Sequence, residues 1–533
     1  MTTEKPVPNP TQRSDQHATQ VAVLIISCLL VYAQVYTHNF IPFHDDNTYI
    51  VFNTSIAGLS LTHIKTAFST IYAGNYAPLQ IISYMLNHAL SGLKPAGFLL
   101  TNVALHIANG LLLQRLLIRN NFPSLGATAA AAIFLLHPVQ VEAVAWASER
   151  KTVLAMFFFL LALHSYQSYL AQEQQWDKAR WYGTSLLCFV LALLSKSVVV
   201  ILPATLIVYD LAYRQGNRRL SWLPDKLPFI LLALAGVALT IYTQDPLRSG
   251  GRADFHGGSP LATLLTMLPV LSKYLHLVFW PTDLSIYYGG IQVKTAFDET
   301  VFRGGMLALA LAAGGLVLWR AQKVLFCWYA FFFIGLLPVS QIIPIVTLIN
   351  DRYLYFPLLG AAPFIVGSML LLVGKLPRLK TLCPLVAIAI GLTLAILTFR
   401  QVGTWQNTLT LYRQVVRTNP EQIDLKFLED SYFLASDLNG LLEITPILLK
   451  NFPNAPAVQK FAGVVYSRTD EPLRARPFLE RAAIAAPQDR GLLSLLAENY
   501  RKTGEDDQAR RIYERIMVID SNEAPATKAR APR

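Results

Sequence analysis

The sequence predicts an all-α protein, a bundle of about eleven membrane spans followed by a short stack of soluble helices. Three observations carry this. Of 533 residues, 53% are hydrophobic and only 15% charged, whereas a soluble domain holds roughly 25% charged residues. Apolar runs of spanning length recur from residue 21 to residue 400. Beyond Thr404 the character changes: 18 Lys and Arg stand against 17 Asp and Glu, leaving 27 against 16 upstream. The basic excess therefore belongs to the membrane part, where it reports orientation and not nucleic-acid binding.

Taken in order, the first twenty residues form a polar cytoplasmic tail, and the run that follows reads as a retained signal anchor. Val31-Tyr32-Ala33 is a weak alternative cleavage site. Candidate spans lie at 21–38, 98–118, 125–141, 152–170, 181–196, 198–213, 227–244, 303–320, 324–344, 353–373 and 381–399, with 79–92 and 262–280 ambiguous. If both ambiguous stretches stay in the interface or re-enter, the basic clusters all fall inside. These are Lys5 and Arg13, Arg115 and Arg119, Lys178 and Arg180, Arg214 with Arg218, Arg219 and Lys226, Arg320 and Lys323, and Lys375 with Arg378 and Lys380. The expected topology is N-terminus in and C-terminus out. It gathers Asp45, Asp46, Glu142, Arg150, Lys151, Asp351 and Arg352 on the outer side. The four cysteines, Cys28, Cys188, Cys327 and Cys383, fall inside apolar runs and read as packing residues.

The tail carries a repeat. Tyr432, Tyr466 and Tyr500 are spaced by 34 residues, as are Pro453 and Pro487, and Ala475 and Ala509. That period is the tetratricopeptide pattern, in which each helical hairpin buries its apolar face only against a neighbour. The expected organisation is a tail at 1–20, a transmembrane domain at 21–400, a linker helix at 401–421, repeats at 422–521 and a flexible end at 522–533. The repeats read either as a structural cap or as a groove for a peptide or protein partner.

Chemistry concentrates in the outer segments. FHDDNTYI places Asp45 and Asp46 directly after the first span, where a carboxylate can act on a lipid-borne head group. The bland alternative is that one of them caps the helix that follows. Neighbouring side chains point different ways, so one faces the reaction and the other a cation or the backbone. HPVQVEAVAWASERK, His137 to Lys151, crowds an outer loop with Glu142, Glu149, Arg150 and Lys151. Arg150 and Lys151 are candidate phosphate contacts, with Glu142 orienting one of them or the acceptor; an ion-paired loop is the alternative. Lys196 lies at an apolar boundary, where intramembrane charge is functional by default unless it snorkels. INDRYLYFP offers Asp351, Arg352, Tyr353 and Tyr355 at a helix mouth, and the loop from Asp245 to Pro260, with Arg248 and Arg252, suggests a cover. The histidines show no ligand spacing.

With FHDD, the stretch GNYAPLQIISYMLNHALSGLKPAGFLLTN (Gly74 to Asn102), HPVQVEAVAWASERK, NDRYLY and the repeat tail, the chain resembles the transmembrane, tetratricopeptide-containing O-mannosyltransferases and their bacterial relatives, within the GT-C glycosyltransferase superfamily. The resemblance implies a GT-C-like membrane domain that moves a sugar, often mannose, from a polyprenyl-phosphate donor with inversion. It places the active site and repeats in the periplasm of a bacterial inner membrane. It implies that the pair Asp45 and Asp46 is the catalytic element; either could be the base, and Asp45 is assigned that role, with Asp46 positioning the acceptor or a cation. The expected donor-phosphate contacts are Arg150, Lys151, Arg352 and Lys196, and the expected substrate contacts Glu142, His137, Asp351, Tyr353 and Asn75. Protein Ser/Thr or a glycan would accept the sugar. The superfamily has metal-dependent and metal-independent members, so a divalent cation stays open. Tyr76-Ala77 stands where the family tends to have Trp-His, and Lys196-Ser197 where it often has Lys-Glu. The competing readings are a non-catalytic docking protein built on the repeats and a lipid-linked sugar transporter.

Overall fold

A computed structural model describes residues 10–214, 223–245, 253–289, 293, 295, 297–418, 425 and 438–528. Arg218, Arg219, Arg248, Arg252 and Tyr432 lie outside the described residues. The chain divides into two compact units, Met1–Asn407 and Thr408–Arg533.

The first unit is a polytopic membrane protein, helical throughout its described elements. Its helices are α1 (Pro10–Tyr32), α2 (Leu61–Ser69), α3 (Pro78–Ser91), α4 (Pro95–Arg119), α5 (Ser124–Leu136), α6 (Val141–Ala145), α7 (Arg150–Ala171), α8 (Gln175–Leu193), α9 (Leu202–Tyr213), α10 (Leu227–Thr243), α11 (Pro260–Phe279), α12 (Glu299–Ala321), α13 (Lys323–Leu336), α14 (Leu358–Lys375) and α15 (Cys383–Thr404). Among the described residues, eight helices are long and apolar enough to cross a bilayer, nine if the bent pair Ser124–Leu136 and Pro138–Ala145 counts as one span. Ser197–Tyr213 and Lys323–Val339 are shorter apolar helices.

α11 is one of the eight, although its stretch was ambiguous in the sequence and expected to lie in the interface or re-enter. Its flanks are tied to the 345–351 stretch: His256 Nε2 meets the Ile345 carbonyl at 3.0 Å, and the Tyr288 hydroxyl bonds Asp351.

α7 forms the centre, packed against α4 and α8. Close approach there needs missing side chains: a Cβ at Gly110 would stand 2.5 Å from Leu135 Cγ, and one at Gly360 would collide with the backbone of Trp328 and Phe332. Amides on α3 and α4 then fix the loops above. Asn102 Nδ2 donates to the carbonyls of Val144 (3.1 Å) and Trp146 (2.9 Å), Gln80 Nε2 to Ser148 (2.8 Å) and the Tyr84 hydroxyl to Ala147 (2.6 Å). Asn109 Nδ2 reaches Val153 O (2.9 Å) and the Tyr355 hydroxyl (3.1 Å), which also pairs with His106. Buried amides of this kind are satisfied by backbone, and here the backbone they select is the rim of the site. Cys28, Cys188 and Cys327 are buried and unpaired, and Cys383 is partly buried.

The second unit shows the period directly. Helices Pro456–Arg468 and Arg490–Lys502 start 34 residues apart, as do Pro472–Ala485 and Asp506–Lys528. Ala475 and Ala509 are buried at the equivalent contact. Gly504, at φ +79°, ends one hairpin helix, and its counterpart Asp470 adopts φ +59°.

Candidate active site

The segment Pro42–Val51 is a wide i→i+5 helix that begins with proline, whose missing N–H costs nothing at a helix start. It separates the two acidic residues. Asp46 is 1% exposed. Its Oδ2 accepts from Ile41 N (2.7 Å), and its Oδ1 from Ser148 N (3.0 Å) and the Ser148 hydroxyl. It therefore ties the start of its own helix to the 144–148 loop. Burial pushes its carboxyl up to about 6, against these three hydrogen bonds; Asp45 nearby adds to the rise.

Asp45 turns the other way, with 36% of its side chain exposed, and its Oδ2 lies 3.3 Å from Lys151 Nζ. Lys151 also sits 4.7 Å from the centre of the Tyr49 ring and 3.5 Å from Glu149. Glu149, 2% exposed, is the hub: Lys196 Nζ reaches it at 2.9 Å and Arg352 Nε at 3.4 Å. Arg352 continues the chain to Glu142, whose second oxygen takes the Arg352 backbone N–H at 2.8 Å. Its guanidinium also packs 5.4 Å from the rings of Trp146 and Tyr353. The flanking carboxylates, Glu142 first, hold the Arg352 guanidinium well above its ordinary range. Asp45, Glu142, Glu149, Lys151, Lys196 and Arg352 thus form one contact chain, drawn from four distant stretches of sequence.

The cations open onto a cleft of about 180 Å³. Lys151, Lys196 and Asn75 lie on its lining, with Val190, Leu193 and Leu194 at the end of α8 and Leu232, Ala235 and Leu239 on α10. One part is polar and cationic, and the walls are aliphatic. Asn75 donates to the Tyr49 hydroxyl (3.1 Å), which joins this cleft to the Asp45 helix.

Other expected positions are placed differently. Arg150 is fully buried and turned from the group: Nε is on Asn102 Oδ1, Nη1 on Asn87 Oδ1 (2.9 Å) and Ser83 (3.3 Å), and Nη2 on Phe98 O (2.6 Å). Arg150, expected as a phosphate contact, is thus surrounded by neutral acceptors and is not on the cleft lining. His137 is likewise off that lining: its Nε2 meets Val278 O at 2.8 Å and its Nδ1 accepts from Val139 N, inside the protein. Asp351 is 2% exposed and takes the Tyr288 hydroxyl, and burial raises its carboxyl well above the usual range. The Tyr353 hydroxyl is bonded to Thr347. Among the described residues, no group of three His, Cys, Asp or Glu is arranged to hold a metal ion. Sequence reasoning did not single out Glu149 as the hub or Tyr49 as the cation's seat. The signals were present in the SERK run and in the four-residue spacing from Asp45 to Tyr49.

Comparison with known proteins adds relatives. The chain is 30% identical over 293 residues to protein O-mannosyl-transferase TMTC2 of Mus musculus, covering 49% of this chain and 33% of the relative. It is 33% identical over 291 residues to the Homo sapiens TMTC2, with the same shares of 49% and 33%. Against protein O-mannosyl-transferase TMTC3 of Mus musculus it is 22% identical over 414 residues, 68% of this chain and 44% of the relative. The matched region thus spans a third of the length of the two TMTC2 proteins. No family model and no solved structure matches the chain. Over about half its length, then, the chain is similar to the TMTC2 protein O-mannosyl-transferases.

Proposed function

We propose that this chain is a membrane glycosyltransferase that moves a hexose, mannose in the first instance, from a polyprenyl-phosphate donor to a hydroxyl of a protein acceptor on the periplasmic face. The observation that carries the reading is that Lys151, which holds Asp45 at 3.3 Å, lines an aliphatic cleft between membrane helices together with Lys196. An apolar groove ending in two ammonium groups suits a phosphate attached to a lipid chain. The relatives' printed activity, protein O-mannosyl transfer, supports the reaction class. The basic-loop pattern supports the orientation.

The reaction follows from the groups present. The acceptor hydroxyl gives its proton to the Asp45 carboxylate as its oxygen bonds to the sugar's anomeric carbon. The bond from that carbon to the phosphate oxygen breaks on the opposite face, and the polyprenyl phosphate leaves as an anion. No acid is needed to protonate it, because the phosphate already leaves as a stable anion. Lys151 and Lys196 stabilise the charge that gathers on the leaving oxygen. Preorganised cations of this sort supply the larger share of many rate enhancements, and the base typically ~10²–10⁴-fold. Asp46, Glu149, Glu142 and Arg352 are positioning residues: Asp46 fixes the helix that bears Asp45, and the other three hold the lysines in register. Arg150 fastens the base of α7 beneath them.

The full chain in lipid nanodiscs, given polyprenyl-phosphate [³H]mannose and a Ser/Thr peptide, should label the peptide and release polyprenyl phosphate. Free polyprenyl phosphate should compete, and GDP-mannose should not serve as donor. Labelling from GDP-mannose alone, or none from the lipid donor, would refute the reading.

A further inference from the structure

A second cleft, of about 500 Å³, lies beside the first on the outer face of the Asp45 helix. Asn47 and Thr48 of that helix, Thr66 and Thr70 at α2, and Tyr72 line it, with Phe52 at its rim. None of its lining residues is charged. Its volume falls in the range of specific ligand sites, roughly 300–1,000 Å³. Asn47 Oδ1 is itself buried, with no hydrogen-bond partner.

The partition between the clefts is built. The Ser55 hydroxyl bridges Asn53 Oδ1 (2.5 Å) and the Tyr72 hydroxyl (2.8 Å). The Tyr49 hydroxyl donates to Tyr72 O (3.0 Å) and accepts from Asn75 (3.1 Å), in the turn where Ala73 and Gly74 have positive φ. Tyr49 is the ring under Lys151, and Lys151 holds Asp45. One tyrosine therefore touches both walls, and Asp45 lies on the helix that borders the second cleft, two residues before Asn47.

From this juxtaposition we propose that the second cleft binds the acceptor, as an extended, uncharged Ser/Thr-bearing polypeptide segment laid across Asn47, Thr66 and Thr70. This rests on the reading of Asp45 as base. Short amides and hydroxyls from three elements can exchange hydrogen bonds with a peptide backbone. A charged segment would surrender hydration with no partner to replace it. A glycan is the weaker occupant, because no carboxylate or guanidinium lines the cleft to grip paired hydroxyls.

The test measures binding apart from transfer. Full-length protein in nanodiscs is photo-crosslinked to a neutral Ser/Thr peptide bearing benzoylphenylalanine, and affinities are measured for neutral, Glu-flanked and Lys-flanked versions. Crosslinks should map to residues 47–72. The neutral peptide should bind the wild type best, and Thr70→Lys should shift preference toward the Glu-flanked peptide by about tenfold. Crosslinks elsewhere, an unchanged preference in Thr70→Lys, or displacement of the peptide by a neutral oligosaccharide would overturn the cleft assignment while leaving the transferase reading intact. Crosslinking and preference as expected, with no sugar transferred by the wild type, would sink the transferase reading and leave the cleft.

Discussion

At its N-terminal end α7 meets the Asp45–Lys151–Glu149–Lys196–Arg352 chain, and toward its C-terminal end it meets a second buried set. There the Tyr166 hydroxyl donates to Asp210 (2.7 Å), Lys226 Nζ pairs with Asp210 (2.8 Å) and Asp225, and Arg214 joins Asp210 (3.1 Å) and Asp225 (2.8 Å). The two sets are about 22 Å apart along the helix, from the rise between Lys151 and Tyr166. Both are nearly neutral in sum and both hold lysine against an aromatic ring, Tyr49 in one and Tyr166 in the other. They differ in access. Lys226 is sealed, with no exposed side chain, whereas Asp45 is over a third exposed and Lys151 and Lys196 line a cleft. Charge inside a membrane protein is therefore not itself a sign of chemistry; charge that opens onto a cavity is.

The contrast breaks first at Lys226. Lys226→Met leaves Asp210 and Asp225 short of a buried partner and should cost about 3–5 kcal/mol of stability, read as a fall in Tm. Turnover per folded molecule should stay at the wild-type level. Unchanged Tm, or lost turnover in the folded fraction, would erase the distinction between the sets.

Asp46 gives the next effect, through pH. The folded protein takes up its proton near pH 6, while the unfolded chain waits until near 4. This group therefore favours the fold as pH drops from 6 toward 4 and disfavours it as pH rises, by an amount on the order of 2–3 kcal/mol. The stability gap between wild type and Asp46→Asn should widen between pH 6.5 and 4.5. Transfer should meanwhile fall below pH 6, because a protonated Asp46 loses an acceptor for Ile41 or Ser148. A gap independent of pH would contradict this.

Arg352→Lys keeps the charge but removes the planar fork that spans Glu142 and Glu149. A loss of about 1.5–3 kcal/mol is expected in transition-state stabilisation, measured as kcat/KM. Lys196→Met should act more mildly: roughly a tenfold lower kcat/KM with the lipid donor, about 1.4 kcal/mol, with Tm nearly unchanged. A large fall in Tm would make Lys196 a structural residue like Lys226.

Much of this was legible in the sequence. The all-α polytopic fold followed from hydropathy, though eight or nine helices among the described residues reach spanning length where eleven spans were expected. FHDD, the SERK run and NDRYLY, expected to gather, do so through the Asp45, Lys151, Glu149 and Arg352 contacts. Direction was not legible. Arg150 and Lys151 are adjacent at a helix start, roughly 100° apart, and nothing in the residue types says which one reaches the cleft. Asp45 and Asp46 were expected to point different ways and do, but nothing in the residue types says that Asp46 is the one on the backbone. Of the second set, Arg214 and Lys226 read only as part of a cytoplasmic basic cluster, because Asp210 and Asp225 reach them through the fold around α9 and α10.

Single-turnover transfer by Asp45→Asn tests the central claim most directly. In full-length protein loaded with polyprenyl-phosphate mannose, the rate of sugar transfer should drop about 10²–10⁴-fold with donor binding retained. A variant that binds donor and transfers at the wild-type rate would contradict it.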